Sequence, residues 1–232
     1  MRERLPWLRG RVEGLPDDLD ALLITADLQG RGLGAGPKPL LGEVVAAEYA
    51  ANHAAWHLPP PERVGVLLPG DYYAAPDADK RGATGDVGAV WQAFAGAFAW
   101  VAGVLGNHDH LTEVPAGSAL LDGMGTAFGG LRVAGVSGIV GNPRRHARRE
   151  WAEYLRVLER ALDTAPHLLL THMPPAVSEG QRGEPELAEV LSGLNLLTLC
   201  GHVHWDEALG TLPGGGQVLN VDGRVAVLTR PK

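Results

Sequence analysis

Metal-binding residue types occur in five short clusters of this sequence. One is Gly201-His202-Val203-His204, in which two histidines are separated by a single residue. In an extended segment such a pair lies on one side, so both ring nitrogens can reach adjacent metal ions. The other clusters are Asp27-Leu28-Gln29, Gly70-Asp71, Gly106-Asn107-His108-Asp109 and Thr171-His172. Their carboxylate, amide and imidazole groups are typical ligands of divalent metals.

Each cluster also has a structural explanation when it is taken alone. Asp27 could cap a turn after a strand, and Gly70-Asp71 is equally ordinary. Asn107, His108 and Asp109 are harder to explain in this way, because three consecutive polar groups are costly to bury without partners. The five clusters together therefore indicate a functional site.

Apolar runs precede these clusters and predict strands over 21–25, 64–68, 101–105, 131–136, 167–171 and 194–200. Helical spacing of apolar residues predicts helices over 40–57, 86–98 and 148–162. Strands that alternate with helices favour an α/β fold. The five clusters stand just past predicted strand ends, which is where open α/β sheets place their sites.

The two ends of the chain have a different texture. Beyond Cys200, short runs at 205–212, 217–221 and 225–229 predict antiparallel strands with tight turns, and hence a mixed sheet or a second sheet. Residues 1–20 form an N-terminal extension that could be a helix covering the sheet, although two glycines and a proline disfavour it. We find no repeat and no linker, so residues 1–232 are predicted to form a single domain.

Composition excludes several classes of function. The net charge of −7 disfavours extended nucleic acid and anionic membranes as partners, because both attract positive surfaces. Residues 87–106 lack formal charge, but Gln92 and four glycines there predict a buried helix and strand rather than a membrane span. Cys200 is the only cysteine, and the N-terminus lacks an apolar signal core. A cytoplasmic location is predicted.

The five clusters, in this order over residues 27–204, resemble the motifs of the calcineurin-like metallophosphoesterase family. The family's motifs are Asp-x-His, Gly-Asp, Gly-Asn-His-Asp/Glu, a histidine after a strand, and Gly-His-x-His; four of the five are intact here. The resemblance implies two mixed β-sheets packed as a sandwich and flanked by helices, with a binuclear centre along one edge.

The resemblance also implies a role for each residue. The first metal would be bound by Asp27, Gln29, Asp71 and His204, and the second by Asp71, Asn107, His172 and His202. A hydroxide that bridges the metals would attack phosphorus. His108 would contact the phosphate or protonate the leaving group, and Asp109 would orient His108.

Gln29 stands where the family usually has histidine. An amide oxygen is a harder and weaker ligand than imidazole, so the first site should favour Mn²⁺ or Mg²⁺ over Fe or Zn²⁺. The predicted function is hydrolysis of small phosphate esters or nucleotides, as a phosphodiesterase or a phosphomonoesterase (phosphatase). Two alternatives stay open: a non-catalytic binding scaffold with this fold, and a nuclease that acts on short nucleic-acid ends.

Two further features bear on the substrate. Four arginines at 144, 145, 148 and 149 precede a predicted helix, where they could be a solvated helix end or could face an anionic substrate. The third motif continues with His110-Leu111, whereas protein Ser/Thr phosphatases of the family have Glu followed by Ser-Arg. Specificity is expected to depend on loops at 72–86, 114–130 and 177–186.

Overall fold

The computed structural model describes residues 5–33, 38–76 and 82–231. Its helices are α1 (Leu41–Asn52), α2 (Gly88–Ala95), α3 (Trp151–Leu162) and α4 (Pro185–Leu191), with a 3₁₀ turn at Pro61–Arg63. Its strands are β1 (Trp7–Arg11), β2 (Ala21–Ala26), β3 (Val64–Leu68), β4 (Gly85–Asp86), β5 (Trp100–Gly103), β6 (Asp109–His110), β7 (Ser118–Leu120), β8 (Met124–Phe128), β9 (Leu131–Val136), β10 (Ile139–Val140), β11 (Arg148–Arg149), β12 (Leu168–Thr171), β13 (Leu197–Cys200), β14 (Leu209–Thr211), β15 (Gln217–Asn220) and β16 (Arg224–Thr229).

Most strands in the described part of the chain belong to two six-stranded mixed sheets. The first has the order β1-β16-β2-β3-β5-β7, and the second has the order β14-β15-β13-β12-β9-β8. In the first sheet β2, β3, β5 and β7 are parallel, while β16 runs antiparallel to β2. In the second, β9, β12, β13 and β15 are parallel. The pairs β4–β6 and β10–β11 are separate short ladders.

The two sheets pack face to face, and helices cover both outer faces. Along β2, Leu22 and Ile24 belong to the core between the sheets, whereas Leu23 belongs to the core beneath α1 and α2. This alternation follows from the two-residue period of a strand. The outer face of the second sheet packs against Tyr154 and Leu158 of α3 and against α4. The result is a four-layered arrangement, which confirms the predicted α/β class.

Most strands and helices have nearly the predicted bounds. β3 and β9 have the predicted bounds, whereas all three predicted helices are shorter than predicted: α1 and α2 end earlier, and α3 begins later. The uncharged stretch at 87–106 forms α2 and β5, as predicted. Within the described residues, no helix is long and apolar enough to cross a membrane.

The antiparallel strands predicted after Cys200 are present, since β14 pairs antiparallel with β15, and β16 pairs antiparallel with β2 of the other sheet. Three other local predictions were wrong. The N-terminal extension, of which residues 1–4 are not described, forms the edge strand β1 rather than a helix. The predicted loop at 114–130 contains β7 and β8, and the one at 177–186 ends in α4. In the loop at 72–86, residues 77–81 lie outside the described residues.

Candidate metal centre

Five parallel strands from the two sheets end at one edge of the sandwich. β2, β3 and β5 of the first sheet lead to Asp27, Asp71 and Asn107, while β12 and β13 of the second lead to His172 and His202. Hydrogen bonds join these turns. Within the first sheet the Asp27 N–H donates to the carbonyl of Gly70 at 2.9 Å, and across the two sheets Asp27 Oδ2 accepts from the His202 N–H at 2.8 Å. The topology therefore assembles residues that are far apart in sequence.

Asp71, His172 and His202 form the centre of this edge. Each offers one ligand atom, and these atoms all lie within 4.8 Å of one another. Asp71 and His172 are almost completely buried, and the two imidazole rings are 4.9 Å apart between centroids. One carboxylate and two imidazoles at this spacing could hold a divalent metal ion.

His172 is fixed in an orientation that suits a ligand. Its Nδ1 lies 2.9 Å from the carbonyl oxygen of Pro69 and can donate there, which leaves Nε2 as the nitrogen with a free lone pair. Nε2 lies 3.2 Å from Asp71 Oδ2 but makes no hydrogen bond. Two acceptors that face each other require a cation between them, either a proton or a metal.

The charges around His172 favour that cation. Burial alone would lower the pKa of His172, but the negative charges of Asp71, Asp27 and Asp109 outweigh it and raise the pKa to about 10. Burial and the nearby charge of His172 instead lower the pKa of His202 to about 4. His202 is therefore neutral at neutral pH, with the lone pair of one ring nitrogen available for a metal.

Carboxylates crowd the same edge. Burial, together with the charges of Asp71 and Asp222, raises the pKa of Asp27 well above its ordinary value, against the opposing effect of His172. Burial would also raise the pKa of Asp71, but His172 and the His108 N–H, which donates to Asp71 Oδ1 at 2.8 Å, lower it below its ordinary value. A metal cation would relieve the repulsion between these groups.

Asn107 and His108 present polar atoms with no partner among the described residues. The Oδ1 atom of Asn107 and the Nδ1 atom of His108 are both buried and make no hydrogen bond. An unsatisfied buried polar atom is costly and indicates a missing partner such as an ion, a water or a ligand. Both atoms therefore fit a site that binds an ion or a ligand.

The carboxylate of Asp109 contacts the backbone of two turns. It accepts hydrogen bonds from the backbone N–H groups of Asp71, Tyr72, Tyr73 and Gly106, at 2.6–3.3 Å. All of these donors are backbone groups, and none is the His108 ring. Burial and the charge of Asp71 raise the pKa of Asp109 to about 6. In this structure Asp109 thus holds the turn that presents Asp71, and its orienting role toward His108 stays a prediction.

The structure does not bring Gln29 and His204 to the cluster as metal ligands. The side-chain amide nitrogen of Gln29 donates to Asp71 Oδ2 at 3.2 Å, so the nitrogen of this amide, rather than its oxygen, faces the Asp71 carboxylate. His204 is exposed, and its Nδ1 lies 2.9 Å from Asp222 Oδ2. Its Nε2 lies 3.1 Å from a guanidinium nitrogen of Arg224. Both ring nitrogens are therefore already engaged.

Asp222 and Arg224 are site residues that the sequence analysis missed. Asp222 follows the apolar strand β15, as the five clusters follow their strands, and this position was the available signal. Arg224 is buried and also donates to the carbonyl of Trp205. Nothing in the sequence distinguishes it from a surface arginine.

The backbone around the centre is locally unusual. The backbone φ angles of Asp27, Asp71 and His202 are 55°, 60° and 67°. They lie in the left-handed region, which residues other than glycine rarely adopt. Such conformations concentrate at functional sites, where surrounding contacts maintain them. A Cβ atom at Gly106 would lie 2.0 Å from Asp71 Oδ1. Only glycine allows the two turns to approach so closely.

Comparison with known proteins identifies similar folds. No model of a protein family matches the chain, and no curated protein matches it. Among solved structures, TT1561 of Thermus thermophilus is similar with a TM-score of 0.59 and 19% identity, over 87% of this chain and 88% of that one. Phosphopantetheinyl hydrolase (PptH) from Mycobacterium tuberculosis is similar with a TM-score of 0.50 and 14% identity, again over 87% and 88%. These likenesses concern the fold.

Proposed function

We propose that this chain is a metal-dependent hydrolase of phosphate esters of the calcineurin-like metallophosphoesterase type. The observation that supports it most directly is the convergence of Asp71, His172 and His202, with the unpartnered oxygen of Asn107 beside them. The fold shared with a protein described as a phosphopantetheinyl hydrolase agrees with this proposal at the level of a hydrolase. The order of the five sequence motifs along the chain is independent support.

The metal would be held by Asp71, Asn107, His172 and His202. A divalent ion bound there would supply positive charge for the phosphate and lower the pKa of a bound water. Asp71 is held in place by the backbone N–H of His108 and, through Asp109, by the backbone of its own turn. The protein thereby fixes the position of its central ligand before any metal binds.

His108 is the residue we assign to the substrate. Its backbone is held by Asp71, while its Nδ1 has no partner among the described residues. A histidine with a free ring nitrogen beside a metal site can bind a phosphate oxygen or protonate a leaving alkoxide. Asp109 would contribute to this step only by holding the turn that contains Asp71 and the turn that contains Gly106.

The first metal position, predicted to use Asp27, Gln29, Asp71 and His204, should bind an ion more weakly than the second, which uses Asp71, Asn107, His172 and His202. Its occupation requires Gln29 to turn its oxygen inward and His204 to leave Asp222 and Arg224. We therefore propose two metal positions of unequal affinity. Mn²⁺ or Mg²⁺ would suit the oxygen-rich first position best.

The proposed substrates are small phosphate esters or nucleotides. A net charge of −7 opposes binding of a long nucleic acid, because such binding depends on a positive surface. The remaining candidate, a non-catalytic scaffold, does not explain why Nδ1 of His108 has no hydrogen-bond partner in the part of the chain that the structure describes.

Hydrolysis of a phosphomonoester and a phosphodiester chromogen tests the proposal. Wild-type protein with Mn²⁺ or Mg²⁺ should hydrolyse at least one of them, and a chelator should abolish the activity. His108→Asn should lower kcat by about 10²–10⁴-fold, while His57→Asn, at an exposed left-handed position, should leave it unchanged. Equal rates for wild type and His108→Asn would favour the scaffold.

A further inference from the structure

A side pocket of about 430 Å³ lies next to the metal centre. We define it by Leu105, Asp109, His110, Leu111, Leu120 and Arg148, which are among its lining residues. Its size is within the range of small-molecule sites, which are concave and mostly apolar with a few polar groups. The leucines supply apolar walls, and Arg148 supplies a cation.

Asp109 connects the side pocket to the metal centre. Its carboxylate holds the turn of Asp71, and the same residue lines the pocket. The backbone oxygen of Asp109 is also 2.7 Å from Nε2 of His146, which borders the pocket on the other side. The side pocket and the metal centre are therefore neighbours that share Asp109.

The neighbouring arginines of β11 differ in what they contact. Arg149 forms two hydrogen bonds to the carboxylate of Asp122 and one to the carbonyl of Ser137, and it lies 3.9 Å from Glu153. Asp122 and Glu153, two of the three acidic residues that line the pocket, are thus paired with Arg149, while the third, Asp109, accepts from backbone N–H groups. Successive residues of a strand point in opposite directions, and Arg148 has no side-chain hydrogen bond or ion pair among the described residues.

Arg148 is presented by a constrained segment. β11 pairs with β10, the N–H of Ile139 donates to the carbonyl of Ala147 at 3.1 Å, and the N–H of Gly141 donates to that of Arg149 at 2.8 Å. These backbone hydrogen bonds hold Arg148 at the wall of the side pocket, whereas Arg144 and Arg145 are exposed.

We infer that the side pocket binds the leaving group of the substrate, and that Arg148 binds a second anionic group on it. The substrate class is a phosphate ester whose apolar portion carries a carboxylate or another phosphate. This inference rests on the proposed function, because it assigns the scissile phosphate to the metal centre. Arg148 would determine which substrate binds, and the residues of the metal centre would carry out the chemical step.

Binding of three phosphonates tests this inference without requiring hydrolysis. The probes are phenylphosphonate, 4-carboxyphenylphosphonate and 4-(2-carboxyethyl)phenylphosphonate, titrated by calorimetry into protein supplied with Mn²⁺. At least one carboxylated probe should bind wild type about tenfold more tightly than phenylphosphonate, since a charge-assisted hydrogen bond has roughly this effect. Arg148→Ala should abolish the difference, Arg148→Lys should keep part of it, and Arg145→Ala should keep all of it.

The inference is overturned if no carboxylated probe has an advantage in wild type, or if the advantage survives in Arg148→Ala. An equal loss of affinity for all three probes in Arg148→Ala would also overturn it, because Arg148 would then act on the phosphonate itself. The matching phosphate esters are assayed for phosphate release in parallel. A protein that binds a carboxylated probe selectively but releases no phosphate from the esters would support the role of the side pocket and refute the proposed hydrolysis.

Discussion

His172 faces Asp71 across the junction of the two sheets, with Nε2 3.2 Å from Oδ2 and no hydrogen bond between them. Asp71 follows β3 of the first sheet, and His172 follows β12 of the second. A metal bound by both side chains would therefore link the two layers of the sandwich. Metal binding and stability of the fold should be coupled.

Metal should raise the unfolding temperature of the wild-type protein. At Mn²⁺ concentrations about a hundredfold above Kd, binding should add about 2.7 kcal/mol, or roughly 5–10 °C for a chain of this size. Asp71→Asn should lose the increase, because an amide is a much weaker ligand than a shared carboxylate. Asp206→Asn, at an exposed position, is the matched control and should keep it. Calorimetric scans with and without Mn²⁺ measure the shift; an undiminished shift in Asp71→Asn would place the metal elsewhere.

Replacing Gln29 by histidine should strengthen the weaker metal position. The substitution removes the amide that donates to Asp71 Oδ2 and supplies an imidazole, so the ion at this position should bind about tenfold or more tightly. Gln92→His, on the exposed face of α2, controls for an added histidine. Calorimetric titration of the metal-free protein gives the stoichiometry and both affinities. If the wild-type protein bound two metal ions with equal and high affinity, the proposal of two metal positions of unequal affinity would be contradicted.

Asp109→Asn should mainly lower the stability of the protein. An amide can accept only through its oxygen, so its NH₂ group would face backbone N–H donors that the carboxylate now satisfies. The expected loss in the free energy of unfolding is at least about 2 kcal/mol, measured by urea denaturation. His108→Asn should cost far less stability while it abolishes activity. An Asp109→Asn protein of normal stability with an altered pH profile would instead support an orienting role toward His108.

Gly106→Ala should damage both the fold and the metal site. The added Cβ would lie 2.0 Å from Asp71 Oδ1 and 2.6 Å from the Asp71 nitrogen, so one of the two turns has to move. Forced repacking of this kind costs about 1–3 kcal/mol, and the displacement of Asp71 should also weaken metal binding. Gly180→Ala is the matched control, because nothing lies within 4 Å of a Cβ there. Equal unfolding midpoints for the two variants would refute the close approach of the turns.

The sequence by itself determined the elements and most of the centre. Continuous apolar runs such as residues 64–68 and 131–136 became buried strands with the same bounds, because strands buried on both faces leave no polar position in the run. The polar residues just after those strands were the other strong signal. Asp71, His172 and His202 converge because the strands of both sheets that lead to them end at one edge.

Tertiary structure decided which long-range partners each residue has. β1 is a strand because its backbone pairs with β16, more than 200 residues away, and this pairing outweighs the local propensity of its sequence. Gln29 and His204 have the residue types of ligands, but their partners are Asp71, Asp222 and Arg224. Likewise, Arg148 and Arg149 are adjacent in sequence, yet among the described residues only Arg149 pairs with an acidic side chain. Residue type and local spacing specify what a side chain can bind, whereas the packing of distant segments specifies what it meets.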